Sequence, residues 1–189
     1  MARLVVFDYN KPLQRFLKDN KTLGEQYLEN ASYCFINDSY HLMSAEAQKK
    51  IPFEKFQTNI FKTYFCKIQT LKEKKELVQE GKSFQARVFA YESNELLFSC
   101  TLEVNTRYVE IHDVCVGSRH GGKGLCKKYI MDVCKYIKDT YKTQNKIKIV
   151  CDENNIPACK CYTSIFGEPK VVRSSRDGFR VKQFELILD

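Results

Sequence analysis

One stretch near the middle of the chain constrains the fold more than any other: a strand, a glycine-rich turn and a long amphipathic helix in direct succession. Val109-Glu110-Ile111-His112-Asp113-Val114-Cys115-Val116 alternates as a half-buried strand does. Gly117-Ser118-Arg119-His120-Gly121-Gly122-Lys123-Gly124 follows, and holds four of the chain's eight glycines. Leu125, Tyr129, Ile130, Val133, Cys134, Ile137 and Tyr141 then recur in steps of three and four, which puts them on one helix face. Lys127, Lys128, Asp132, Lys135 and Lys138 fall on the other. Glycines leading into a helix N-terminus form a ready anion site, because first-turn N–H groups lack partners and the helix dipole is positive there. Lys123 adds formal charge. The segment therefore reads as the holder of the pyrophosphate of a nucleotide-containing cofactor.

Two common phosphate loops do not fit. The dinucleotide fingerprint needs a third glycine at position 127, where Lys127 stands. The P-loop needs Ser or Thr after its lysine, and Lys123 precedes Gly124. Further along, Lys146 to Cys151 reads as a strand, and Asp152 to Tyr162 as a turn leading into a helix, closed by Phe166-Gly167. Asn155, Ala158 and Tyr162 share one helical face, so an Asn and a Tyr can point at one ligand.

The two segments, roughly residues 108 to 167, together resemble the GNAT superfamily of acyl-CoA-dependent N-acyltransferases. That family carries a strand, then Gln/Arg-x-x-Gly-x-Gly/Ala, then a helix, and later a strand followed by Asn-x-x-Ala-x-x-x-Tyr. The loop pattern is present literally as Arg119-His120-Gly121-Gly122-Lys123-Gly124. A second register, preferred because it aligns Val116 with the family's strand-ending valine, places Gly121-Gly122-Lys123-Gly124-Leu125-Cys126 on the motif. In that register Gly121 stands for Gln or Arg, and Cys126 for the final Gly or Ala. Glu110 to Val116 with Gly122 to Leu125, and Cys151 to Ile156, are locally similar to glucosamine-6-phosphate N-acetyltransferases.

The resemblance implies acetyl-CoA as co-substrate, no metal, and attack of a primary amine on the thioester in a ternary complex. It implies Glu110 as general base, with His112 two residues on as proton relay, and Tyr162 as general acid towards the CoA thiolate. It implies that the Val114 N–H binds the thioester oxygen and that Val116 runs along the pantetheine arm. Cys115 between them, the loop residues Arg119, Gly121, Gly122, Lys123, Gly124 and Leu125, and the helix residues Asn155 and Ala158 complete the expected cofactor contacts. Asn155 is equally a favoured helix N-cap. The alternative readings are Glu110 as a surface carboxylate, His112 as a structural histidine and Tyr162 as a packing aromatic. Cys159-x-Cys161, without a CxxC pair or a spaced His, does not make a zinc site.

The rest of the chain supplies a frame for this core. Residues 3 to 9 read as a strand. Lys11 to Asn37 reads as helix, with a break at Gly24, before a turn at Asn37-Asp38-Ser39. Residues 53 to 80 are helical again, ending in the charged run Lys72-Glu73-Lys74-Lys75-Glu76. Phe84 to Tyr91 and Leu96 to Val104 form a hairpin, and Lys170 to Arg173 and Phe179 to Leu188 a closing pair across residues 174 to 178. The expectation is an α/β (α+β) fold of the GNAT kind: a mixed, mostly antiparallel sheet of about seven strands with about four helices, in one domain over 1–189. Residues 1–82 would border the acceptor site and 108–167 form the acyl-CoA-binding core.

The 189 residues, 43% hydrophobic, suffice for a sizeable core. No run of eighteen apolar residues suggests a membrane span, and the apolar start at Leu4 to Phe7 is too short for a signal peptide. Nine cysteines, several on core faces, lead to an expectation of reduced thiols and a cytoplasmic setting. The net charge of +8 suits an anionic cofactor, and no basic run carries the interleaved aromatics of a nucleic-acid platform. The acceptor is read as a small-molecule amine (amino sugar, polyamine or amino acid), with a protein amine as the alternative; an inactive binding module is the third reading. A monomer or homodimer is expected.

Overall fold

A computed structural model describes residues 2–173 and 180–188. Its centre is one seven-stranded sheet built from β1 (Arg3–Phe7), β2 (Phe84–Glu92), β3 (Glu95–Val104), β4 (Tyr108–Val116), β5 (Lys146–Asp152), β6 (Lys170–Arg173) and β7 (Arg180–Ile187). The spatial order is β1-β2-β3-β4-β5-β7-β6. Every neighbouring pair is antiparallel except β4 and β5. That parallel pair is joined by a crossover helix, α7 (Leu125–Thr140), as a parallel connection requires. The residues expected to join β6 to β7, 174 to 178, and the first residue of the expected last strand, Phe179, lie outside the described residues.

Strand alternation sorts the side chains into two cores. Val88, Phe98, Leu102, Ile111 and Ile149 face α7 and α8 (Ile156–Phe166), meeting Ile130, Val133, Ile137 and Tyr162. On the other face, Phe89 and Leu96 meet Leu13, Leu23, Tyr27, Ile36 and Phe65 from the N-terminal helices. Each such buried side chain contributes roughly 1.5–3 kcal/mol, so both helical layers are held by area rather than by surface ion pairs.

The N-terminal half is more segmented than its hydrophobic spacing suggests. α1 (Asn10–Asp19) and α2 (Lys21–Ala31) are separated at Asn20, whose backbone is non-helical (φ −124°, ψ 63°), while Gly24 continues α2. A π-helical turn over Ser32–Ile36 runs directly into α3 (Asn37–His41), so the expected turn at Asn37 to Ser39 is helix. The chain continues through α4 (Ala45–Lys50), α5 (Phe53–Ile60), a second π-helical turn over Phe61–Phe65, and α6 (Leu71–Gln79). The charged run after Leu71 is thus a helix of its own. A reciprocal capping box starts it: Thr70 Oγ1 accepts from the Glu73 N–H and the Glu73 carboxylate from the Thr70 N–H. The expected four helices are therefore too few.

A second correction concerns the thiols. Cys34, in the first π-helical turn, and Cys115, on β4, form a disulfide, so the thiols are not all reduced. The other seven cysteines are free. Among the described residues no helix is long and apolar enough to cross a membrane.

Candidate active site

The site begins with a defect in the ladder around β4. Thr101 pairs with His112 and Ser99 with Cys115, so Asp113 and Val114 together stand opposite the single residue Cys100. This is a β-bulge, and Asp113 takes the left-handed backbone it needs (φ 50°). On its other side β4 pairs with β5 only from Tyr108↔Lys146 to Ile111↔Ile149, although both strands run further. Beyond Ile111 the two parallel strands separate, and a cleft opens between them.

That cleft has a volume of about 490 Å³. Val114 and Val116 line it from β4, Gly121, Gly122 and Gly124 from the loop, and Leu125, Cys126 and Lys127 from the first turn of α7. The opposite wall is α8, through Pro157, Ala158, Lys160, Cys161, Tyr162 and Ser164. Loop conformation depends on glycine at two kinds of position. Gly122 and Gly124 have φ of 75° and 73°, where an L side chain is strained. At Gly117 a Cβ would lie 2.4 Å from the Leu96 carbonyl oxygen, so only glycine lets the chain leave β4 this close to β3. Gly124 ends the loop as N-cap of α7, a sixteen-residue helix whose first N–H groups and positive dipole end point to the cleft mouth. Lys127 and Lys160 add positive charge to the walls.

Most of the expected cofactor residues thus meet in one place. Arg119 and Lys123 are not among the lining residues. Arg119 borders a small separate hollow with Asn30 and Glu95, and Lys123 Nζ donates to the Arg119 carbonyl. The Asn155 Oδ1 accepts from the Ala158 N–H at 3.2 Å and caps α8. The Cys115 sulfur is committed to Cys34 on the other face of the sheet. Tyr162 is 4% exposed, packs edge-on against Phe184, and burial raises its phenol well above the usual range. At neutral pH it holds its proton.

Glu110 and His112 lie on the opposite face of β4 from Ile111, beside the N-terminal helices. Neither lines the cleft. His112 Nε2 stands 3.7 Å from both Glu110 Oε1 and Glu103 Oε2 and has no hydrogen-bond partner among the described residues. Next to them is a network that sequence reasoning missed. Buried Arg87 donates to the carbonyls of Phe65 (3.1 Å) and Tyr64 (2.7 Å) and to Thr101 Oγ1, which donates in turn to Asp113 Oδ2 at 2.8 Å. The network ties the second π-helical turn to the bulge. Glu103 could have been found from the hairpin register, which sets it opposite Glu110; the Arg87 network has no local sequence signal.

No group of side chains able to hold a metal ion occurs among the described residues. A strand opening beside a glycine loop, backed by a buried phenol, can hold a phosphorylated, thiol-bearing arm and protonate a leaving group at its end.

Comparison with known proteins follows the same lines. The family model described as the acetyltransferase (GNAT) family matches residues 53–167. No curated protein matches the chain. Among solved structures, the PaiA N-acetyltransferase from Thermoplasma acidophilum in complex with coenzyme A is 13% identical, with a TM-score of 0.52 over 97% of this chain and 99% of that one. A spermidine N-acetyltransferase from Vibrio cholerae in complex with CoA and spermine is 15% identical (TM-score 0.52; 97% of this chain, 95% of that one). A ribosomal L7/L12 alpha-N-protein acetyltransferase in complex with coenzyme A is 10% identical (TM-score 0.59; 100% and 94%). At these identities the neighbours establish a shared fold.

Proposed function

The chain belongs to the GNAT acetyltransferase family, and from that premise we propose that it transfers the acetyl group of acetyl-CoA to a primary amine of a small molecule. One observation carries the reading: the cleft between β4 and α8, floored by the glycine loop at the positive end of α7. The coenzyme A-bound structures that share the fold support the choice of co-substrate. The pyrophosphate lies against the N–H groups of Gly122 to Leu125, with Lys127 beside it. The pantetheine arm follows Val116, and the thioester oxygen takes the N–H of Val114, one of the two bulge residues that face Cys100. Preorganised backbone donors of this kind stabilise a developing oxyanion without reorganising.

Tyr162 hands its proton to the CoA thiolate as the tetrahedral adduct collapses. Glu110 takes a proton from the bound acceptor ammonium and so frees the amine that attacks, and His112, between Glu110 and Glu103, relays that proton. The carboxylates of Glu103, Glu110 and Asp113 on this side of the sheet favour a cationic acceptor. They suit an ammonium on a small molecule or on a protein alike, and the small amine is the reading proposed here. The narrower likeness to glucosamine-6-phosphate N-acetyltransferases is carried by the strand and loop alone and does not select an amino sugar over a polyamine or an amino acid.

The test is CoA thiol release from acetyl-CoA with polyamines, amino sugars, amino acids and a lysine-containing peptide as acceptors. Release is expected with a small amine. Glu110→Gln and Tyr162→Phe are each expected to lower kcat/KM by about 100-fold, the lower end of what general acid–base groups contribute. Release with the peptide alone would transfer the reading to a protein acceptor, and rates unchanged in both variants would remove these two residues from the mechanism.

A further inference from the structure

The walls of the cleft hold a pair of thiols that acetyl transfer does not use. Cys126 sits in the first turn of α7 and Cys161 in the middle of α8, 35 residues apart in sequence, and their sulfurs are 3.0 Å apart. Both side chains are half-buried and both line the cleft. A disulfide needs sulfurs at about 2.05 Å, so an approach of about 1 Å suffices. We propose that Cys126 and Cys161 form a redox-active dithiol, a modification site that exchanges with low-molecular-weight disulfides and closes into a disulfide across the cleft.

The chemistry balances as a thiol–disulfide exchange. The Cys161 thiolate attacks one sulfur of the small disulfide and expels the other half as a thiolate, which takes up a proton. Cys126 then loses its proton and attacks the Cys161 sulfur of the mixed disulfide, expelling the second half. Two protein thiols are oxidised to one disulfide, and one small disulfide is reduced to two thiols. The roles follow from the surroundings. A hydrogen bond with the Cys126 thiol, and then the Lys127 ammonium, holds Cys161 below the usual thiol range, while the shared proton pushes Cys126 up. The thiolate is the attacking form, so Cys161 attacks first and Cys126 resolves.

The remaining free thiols do not compete. Cys151 and Cys159 also lie close, at 3.2 Å, but both are buried away from the cleft, and burial pushes Cys151 up to about 12. Cys100 and Cys134 are buried as well, and burial pushes the half-buried Cys66 up to about 12. The new bond would tie the start of α7 to α8 inside the space assigned to the acyl-CoA arm. That consequence rests on the proposed function; the dithiol itself does not.

The experiment is incubation of the folded protein with glutathione disulfide, followed by peptide mapping without reduction and a count of glutathione released. The Cys126–Cys161 cross-link is expected first, about tenfold or more ahead of any modification of Cys66. In Cys126→Ser the glutathione adduct should persist on Cys161, and in Cys161→Ser the cross-link should vanish with Cys126 reacting slowly. Modification of Cys66 ahead of the pair, or a pair that stays reduced while circular dichroism shows native structure, would overturn the proposal; the wild-type map decides this even if a variant fails to fold. A parallel sample saturated with acetyl-CoA separates the two readings. Slower cross-linking supports both, whereas an unchanged rate leaves the dithiol standing and counts against acetyl-CoA in this cleft.

Discussion

Asn155 is the N-cap of α8, and single substitutions measure what that cap contributes. Its carboxamide caps α8 at the Ala158 N–H, and it stands where the family motif has its asparagine. Asn155→Ala should lower stability in urea by about 1 kcal/mol, whereas Asn155→Ser, which keeps a capping oxygen, should stay near the parent. Equal midpoints for all three would mean the cap contributes nothing. Residue-level reading from the sequence succeeded where the cause is local. An Asn before Ile156-Pro157 is a helix start, and the apolar steps from Tyr129 to Ile137 are indeed buried. It failed at Asp113, read as one step in an even alternation. The bulge there is imposed by pairing with β3, and the left-handed φ of Asp113 follows from two residues facing Cys100.

At the scale of elements, β5 and β7 are held partly by one carboxylate among three lysines. Glu185 accepts from Lys146 at 3.1 Å, with Lys148 and Lys170 each 3.9 Å away. The Lys146 hydrogen bond first, and then the lysine charges, hold its carboxyl below the usual range. A depressed carboxylate stabilises the fold fully above the unfolded pKa of about 4.3 and loses that contribution as pH falls through the folded value. The Tm of Glu185→Gln should therefore fall below that of the parent at pH 7, with the gap closing as pH drops below about 4. A gap that is constant with pH would contradict the ion-pair account. The strands were legible from alternation, but this cluster was not, because it joins residues 39 positions apart. The N-terminal helices show the converse. Apolar spacing runs on past Asn20 and through both π-helical turns, so neither the break nor the turns leave a mark in it. The Thr70-x-x-Glu73 box was legible in principle, as a start signal inside a run read as continuous helix.

For the whole molecule, the account turns on how two helical layers and one sheet meet. The sheet buries α7 and α8 on one face and the N-terminal helices on the other, and the parting of β4 from β5 leaves the cleft at the boundary. The cofactor side was legible because strand, loop and helix are contiguous in sequence. The acceptor side was not, because Arg87, Thr101, Glu103 and Asp113 come together from three strands. The central claim is that acetyl-CoA lies in this cleft with its pyrophosphate on the glycine loop. Isothermal calorimetry at fixed salt tests it most directly, with Gly122→Ala as control for the φ of 75° and Gly122→Glu adding a carboxylate at the phosphate position. The account predicts saturable one-to-one binding by the parent, a loss in Gly122→Ala that reports the backbone strain alone, and at least about tenfold weaker binding again in Gly122→Glu than in Gly122→Ala, equivalent to about 1.4 kcal/mol. No binding by the parent, or binding by Gly122→Glu equal to that by Gly122→Ala, would contradict it.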